Sequence, residues 1–266
     1  MINYTKIINI YESANDFYDE VRNSRNFTGK VVLVTGSGTG IGASIVKLYS
    51  ALGANVVITG RKPDEIHKVA QEAQQLSPNK LKPLEVKADL IKNILVNNAG
   101  SGGLAAITDP KFIDALKSVE ILNINANLQL TQLAIPYLEK TKGNIVMITA
   151  ITTERPIKNW LPYNIAKDAL EDATKVLSFE LGGKGIRVNS VSPGMINSHP
   201  ESIDPIEEAL IKKAIKRTPL GRVGDPTDVA AAVVFLSSSD ARFITGHSLV
   251  VDGGLKYNVD SNFMDI

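Results

Sequence analysis

From Lys30 onward, short β-branched apolar runs alternate with longer stretches in which apolar positions recur every three to four residues. The first kind of run suits a strand, the second one face of a helix. Strands are predicted at 31–34, 56–59, 93–97, 144–149, 187–192 and 248–251, and helices at about 41–52, 64–76, 111–139, 162–182 and 226–237. Most of the strands are nearly unbroken apolar segments, as parallel strands covered on both faces are. This alternation predicts an α/β protein with a single doubly wound, Rossmann-type parallel sheet. One helix start is signalled in detail: Asp225 stands at the N-cap, Pro226 at the first helical position, and Asp228 where its carboxylate reaches back to the cap.

The length of 266 residues suits one large domain, expected over 29–254, between an N-terminal arm or tail at 1–28 and a C-terminal tail at 255–266. In the arm, Tyr11, Phe17, Tyr18 and Val21 have the loose spacing of a helix that docks, with a frayed tail as the alternative. Lys and Arg number 29 against 28 Asp and Glu, so a net charge of +1 gives no field to attract nucleic acid or an anionic membrane, and neither is expected as a partner. The absence of cysteine excludes disulfides, thiolate nucleophiles and cysteine-ligated metals, and suits a reducing compartment. The longest apolar run, 229–236, is far short of a membrane span. The first residues carry Glu12, Asp16, Asp19 and Glu20 and no apolar signal core, so a cytoplasmic location is expected. His67, His199 and His247 are far apart and lack metal-ligand spacing, so no metal is expected.

The first candidate chemistry follows the first strand, where Thr35-Gly36-Ser37-Gly38-Thr39-Gly40-Ile41-Gly42 leads straight into a helical pattern. In such a turn Gly36 takes positive φ, Gly40 lets the backbone approach a pyrophosphate, and Gly42 lets the helix pack tightly on the sheet. The helix start then faces the phosphates with unpaired amides. The second strand ends about 20 residues later at Thr59-Gly60-Arg61-Lys62. A carboxylate there would bind the ribose 2′-hydroxyl of NAD(H), whereas a glycine followed by two cations favours the 2′-phosphate of NADP(H). The competing reading of Arg61 is a solvated residue at a helix start.

With these residues in place the sequence resembles the short-chain dehydrogenase/reductase (SDR) superfamily from about Phe27 to Gly254. The motifs that carry the resemblance are T-G-x-x-x-G-I-G at 35–42, Asn97-Asn98-Ala99-Gly100, Asn125, Tyr163-x-x-x-Lys167, Pro193-Gly194 and Val251-Asp252-Gly253-Gly254. The resemblance implies that Asn97, Asn98, Ala99 and Gly100 border the adenosine half of a nicotinamide cofactor, held also by Gly36, Ser37, Thr39, Gly40, Ile41 and Gly42. It implies that Asp89 contacts adenine, and that Pro193, Gly194, Ile196 and Ser198 flank the nicotinamide, Ser198 standing where threonine is usual. It further implies an Asn125 that holds a water connecting Lys167 to solvent, and a homodimer or homotetramer built through the helices of Asn125 and Tyr163.

Tyr163 and Lys167 also carry an argument of their own. Four residues apart, they share a helix face, and an ammonium beside a phenol lowers its pKa from about 10 toward the working range. Such a tyrosine protonates an alkoxide as hydride reaches a carbonyl carbon, and acts as base in reverse. Lys167 is also placed to bond the nicotinamide ribose.

Two departures from the family pattern qualify this expectation. The serine that polarises the carbonyl, thirteen residues before the tyrosine, is replaced by Ala150. Losing one such donor costs about 10²–10³ in rate, and Thr152 is the better neighbouring substitute, since Thr149 points to the other side of its strand. In addition, 84–88 reads as a third strand, yet the strand at 93–97 begins about four residues after Asp89, where the family has a crossover helix. The crossing needs about 21 Å, more than four residues at about 3.4 Å each can span. The expectation is a missing crossover helix, with 81–89 not forming the usual edge strand in register and serving partly or wholly as the connection.

The segment between Ser198 and Pro219 is apolar at Ile203, Pro205, Ile206, Ala209, Leu210 and Ile215, which suits a lipophilic ketone or alcohol and equally core packing. Its Lys212, Lys213, Lys216 and Arg217 read as a solvated helix face in preference to a dock for an acidic carrier. Two readings follow. One is an NADP(H)-dependent oxidoreductase interconverting a small-molecule carbonyl and a secondary alcohol. The other is an SDR relative, weak or inactive in catalysis, that binds nucleotide or its own copies.

Overall fold

The structure is a computed structural model that describes residues 23–85, 93–198 and 205–258. Strands β1 (Val31–Val34), β2 (Asn55–Ile58), β3 (Leu84–Glu85), β4 (Ile94–Asn97), β5 (Asn144–Ile148), β6 (Arg187–Pro193) and β7 (Ser248–Val251) form one parallel sheet in the order β3-β2-β1-β4-β5-β6-β7. The described helices are α1 (Gly40–Ala51), α2 (Pro63–Leu76), α3 (Phe112–Glu120), α4 (Ala126–Thr141), α5 (Leu161–Gly182), α6 (Pro205–Arg217) and α7 (Pro226–Ser237). Order reverses between β1 and β4, so their carboxyl ends open the crevice in which doubly wound sheets bind ligands.

Period-two alternation explains why the strands are apolar throughout. Val32, Val34, Ile58, Val96 and Val146 face Ile45 and Tyr49 of α1, Val69 of α2 and Val229 and Val233 of α7. The intervening Leu33, Val57, Leu95, Ile145 and Met147 face Ala134 and Leu138 of α4 and Leu181 of α5. Each fully buried side chain of this kind stabilises the fold by roughly 1.5–3 kcal/mol. Just ahead of β1, the Phe27 ring stands edge-on to buried Tyr49 at 5.1 Å, so residues before the expected domain limit already belong to the core. The start of α7 forms as predicted: the Thr227 amide donates to Asp225 Oδ1, and the Asp225 amide to Asp228 Oδ2, both at 2.8 Å. The N-terminal arm through residue 22 and the tail from 259 lie outside the described residues.

Two sequence expectations are corrected. The helix predicted at 111–139 is two helices, α3 and α4, joined by the wider π turn Ile121–Asn125. Within the segment expected not to form the usual edge strand, two residues do pair, Leu84 in parallel register beside Val57 and Glu85 beside Ile58, while β4 remains intact between β1 and β5. The estimate of reach explains the difference. Nine Cα steps from Glu85 to Ile94 (94 − 85) span at most about 31 Å, more than the roughly 21 Å of the crossing. Asp89 itself lies outside the described residues. The connection from Glu85 to Ile94 remains far shorter than the family's crossover of some two dozen residues.

Candidate active site

The glycine turn is built from below by bonds to its neighbours. The Thr35 hydroxyl accepts the amides of Asn98 and Ala99 at 3.0 and 2.8 Å, and the Asn98 side chain donates to Thr35 O at 2.9 Å. These bonds fasten the end of β4 to the turn. Gly36 and Gly40 sit at φ +62° and +54°, where a side chain would be strained. Helix α1 starts at Gly40 with no side-chain cap from Thr39 and no acid in its first turn, so its leading amides remain available to an anion. Uncapped amides above a floor without side chains fit a dinucleotide pyrophosphate. Ser37 departs from its expected place. It is fully buried, its hydroxyl donating to Val34 O at 2.8 Å and accepting the Thr59 amide at 2.9 Å. Ser37 thus ties β1 to β2, and neither its hydroxyl nor its amide, which donates to Thr59 O, is left for a ligand.

At the end of β2, a Cβ on Gly60 would stand 3.7 Å from the Gly38 amide, which puts Arg61 on the flank of the glycine turn. Arg61 is exposed. Lys62, the second expected cation, is held by Glu65 at 2.8 Å, a carboxylate that opposes an incoming phosphate.

Beside the turn lies a cleft of about 300 Å³ whose walls include Ile41, Ser101, Ala150, Tyr163, Lys167 and Ser198. Asn98, Gly100, Pro193, Gly194 and Ile196 border it as well, so residues from four sequence motifs meet there. Lys167 is buried one helical turn beyond Tyr163 on α5. Its Nζ donates to Ile148 O at 2.8 Å and stands 5.5 Å from the Tyr163 ring centroid. The Trp160 ring meets Tyr163 edge-on at 5.5 Å. The expected lowering of the phenol is not what the structure holds. Burial pushes Tyr163 up to about 12 and Lys167 down to about 8, because loss of solvent disfavours each charged form. Near neutral pH this is a protonated phenol beside a cation, a proton donor.

Asn125 is corrected by helix geometry. It is exposed and lines a separate groove with Leu128, Gln132 and Leu177, on the far side from the cleft. Asn123 is the asparagine turned inward: it is fully buried, and a Cβ on Gly100 would lie 3.3 Å from its Oδ1 and 3.5 Å from Lys167 Nζ. Counting the helical period back from buried Leu138 through Ala134, Thr131 and Asn127 reaches Asn123, a signal already in the sequence. Thr152 is likewise displaced. It is buried in the short turn Ile151–Thr153 and is not part of the cleft wall, whereas Thr149 is. Asn97 is fully buried, its side chain donating to Thr131 Oγ1 at 2.8 Å, so it supports the wall from within. His199 lies outside the described residues.

Comparison with known proteins agrees with this geometry. Residues 36–256 match the family described as Enoyl-(Acyl carrier protein) reductase. The chain is 33% identical over 243 residues to the 7alpha-hydroxysteroid dehydrogenase of Escherichia coli, covering 85% of this chain and 94% of that protein. It is 34% identical over 239 residues to a 3-oxoacyl-(acyl-carrier-protein) reductase of Rickettsia prowazekii, covering 86% and 98%. Among solved structures, a 7 alpha-hydroxysteroid dehydrogenase complexed with NADH and 7-oxo glycochenodeoxycholic acid superposes with a TM-score of 0.79 at 31% identity, covering 88% of this chain and 96% of that one. The doubly wound parallel sheet and the cleft beside its glycine turn are those of a Rossmann-type oxidoreductase. The chain belongs to the short-chain dehydrogenase/reductase superfamily, whose members move hydride between carbonyl or alcohol substrates and nicotinamide cofactors.

Proposed function

We propose that the protein reduces a lipophilic ketone, or oxidises the matching secondary alcohol, with NADP(H), Tyr163 serving as the proton donor or acceptor. The observation that carries this reading is the meeting of Tyr163 and Lys167 with Ile41, from the uncapped start of α1, in one cleft. The bound nicotinamide supplies the hydride, or accepts it in reverse. The first-turn amides of α1 hold the pyrophosphate, and the exposed guanidinium of Arg61 takes the 2′-phosphate. As the carbonyl oxygen gains negative charge, the Tyr163 hydroxyl gives it a proton, and the Lys167 ammonium stabilises the phenolate that remains. Asn123 takes the supporting place expected of Asn125.

Arg61→Ala is expected to weaken NADPH binding by about ten-fold or more while leaving NADH nearly unchanged, consistent with a phosphate contact of roughly 1.5–3 kcal/mol. Fluorescence titration with both nucleotides reads this directly; equal losses for the two would remove Arg61 from phosphate recognition. In the direction of reduction, kcat/KM is expected to fall as pH rises through about 8, where buried Lys167 loses its proton. Tyr163 keeps its proton to about 12 and adds no limb below that. A profile flat between pH 7 and about 9.5 would detach Lys167 from the proton-transfer step.

The remaining surface suits a second copy of the chain. Leu133 and Tyr137 of α4 and Val176 and Phe179 of α5 are exposed, Phe179 at 91%, and apolar side chains clustered on two helices favour self-association. These faces support the proposal of a homodimer or homotetramer through α4 and α5, and a cytoplasmic location is proposed with it. No described helix is long and apolar enough to cross a membrane. The overall reading is tested by titrating the protein with NADPH and NADH, then assaying turnover of cyclohexanone, a 7-oxo bile acid and an acetoacetyl thioester. A protein that binds neither nucleotide overturns it.

A further inference from the structure

We infer that the hydroxyl of Ser101 is the hydrogen-bond donor to the substrate carbonyl, filling the function that Ala150 leaves without a donor. The inference rests on the oxidoreductase reading above. Ala150 puts a methyl group on the cleft wall, and a hydroxyl elsewhere on that wall is the nearest chemical equivalent of the missing donor. Among the described residues, the hydroxyls there besides Tyr163 are Ser101, Thr149 and Ser198. The Thr149 hydroxyl donates to Val191 O at 3.2 Å, within the sheet. The Ser198 hydroxyl is turned to Ile196 O at 3.5 Å. Ser101 is exposed at the cleft, and its hydroxyl bonds to no described residue.

The backbone of Ser101 is held as a donor's should be. Its amide donates to Asn123 Oδ1 at 2.8 Å, and its carbonyl accepts from Asn123 Nδ2 at 2.9 Å. A fully buried carboxamide therefore clamps both peptide groups of one residue. The adjoining glycines locate it against α5. A Cβ on Gly100 would lie 3.5 Å from Lys167 Nζ, one on Gly102 3.5 Å from the Trp160 ring, and one on Gly103 3.6 Å from the Tyr163 amide. The chain from 100 to 103 thus runs along the part of α5 that bears Lys167 and Tyr163, and Ser101 carries its only side chain. With the backbone of Ser101 held, only its side chain has to turn toward the carbonyl oxygen, which keeps reorganisation small as charge develops.

A bound NADPH would supply the hydride, its C–H bond breaking and its ring being oxidised as the new bond to the carbonyl carbon forms. The C=O π pair moves to oxygen, and the Tyr163 O–H bond breaks to complete the alcohol, leaving a phenolate beside the Lys167 ammonium. Ser101 donates a hydrogen bond to that oxygen and keeps its proton.

The experiment compares the parent protein, Ser101→Ala, Ala150→Ser and the double variant with NADPH and the three carbonyl probes named above. Ser101→Ala is expected to lower kcat/KM by about 10²-fold with NADPH affinity kept within about two-fold. The double variant is expected to recover most of that loss, because the new serine at 150 supplies the same bond. The assignment is overturned if Ser101→Ala stays within about two-fold of the parent, if its loss comes with weakened NADPH binding, or if it is equally large in the Ala150→Ser background. It is also overturned if the parent is inactive while Ala150→Ser turns over, a result that leaves the oxidoreductase reading standing. Inactivity of both proteins on every probe overturns the oxidoreductase reading and the Ser101 assignment with it.

Discussion

Tyr163→Phe is expected to lower kcat by about 10²–10⁴, the usual contribution of a positioned proton donor, while NADPH binds nearly as before. The substitution removes a single hydroxyl and keeps the ring that packs edge-on against Trp160, so the helix start and the cleft wall stay in place. Two measurements made together decide the matter, steady-state turnover and nucleotide titration. A variant that reduces ketones at the parent rate would take the phenol out of the mechanism. A variant that loses nucleotide binding in parallel would instead mark Tyr163 as a structural residue of the cleft. The pH argument sharpens the expectation, because a phenol held up to about 12 by burial is protonated throughout the accessible range and is suited to giving a proton.

Gly42→Ala is the second substitution with a large expected effect, and it acts through the backbone. A Cβ there would meet the Gly36 carbonyl, lie 2.7 Å from Asn98 Nδ2 and come within 2.9 Å of Ser37 Cα. Two of these three atoms are main chain, which has little room to give. Relief requires α1 to move off the turn, breaking the contacts that hold the glycine floor level with the helix start. Overpacking of this kind costs about 1–3 kcal/mol, read as a Tm lowered by several degrees, and NADPH affinity is expected to fall by at least about ten-fold as the leading amides of α1 shift. Thermal denaturation that matches the parent, with unchanged affinity, would show that the turn tolerates the methyl and that the close fit has no bearing on the nucleotide site.

Much of the architecture was legible in the sequence because its signals are local and repeated. Apolar runs such as 94–97 and 144–148 are long enough to mark strands covered on both faces, and the cap at Asp225 depends only on residues within one turn. What sequence spacing missed depends on rotation and reach. Asn125 and Asn123 differ by two positions, yet on a helix two positions are roughly opposite faces; Asn125 was assigned by its motif, whereas the period counted back from Leu138 reaches Asn123. Ser37 sits inside a glycine motif that reads as ligand-facing, although its side chain satisfies the end of β2. Thr152 was favoured because strand alternation turns Thr149 away from the side of residue 150, but Thr152 falls in a turn that buries it away from the cleft, and Thr149 at the strand end lines it. The edge strand was judged from the short connection after Asp89; ending β3 at Glu85 lengthens the available chain enough to admit it.

The wide turn at Ile121–Asn125 makes the clamp on Ser101 sensitive to chain length. A π turn absorbs one residue more than an α-helical turn needs, so removing one of its five residues would let the segment rewind as ordinary α-helix with α3 and α4 still in phase. The position of the removed residue would decide the outcome. Ahead of Asn123, the spacing back from Leu138 would be untouched and the clamp would persist; between Asn123 and Asn127, that spacing would shorten by one residue, about 100° around the axis, and the carboxamide would turn out from beneath Ser101.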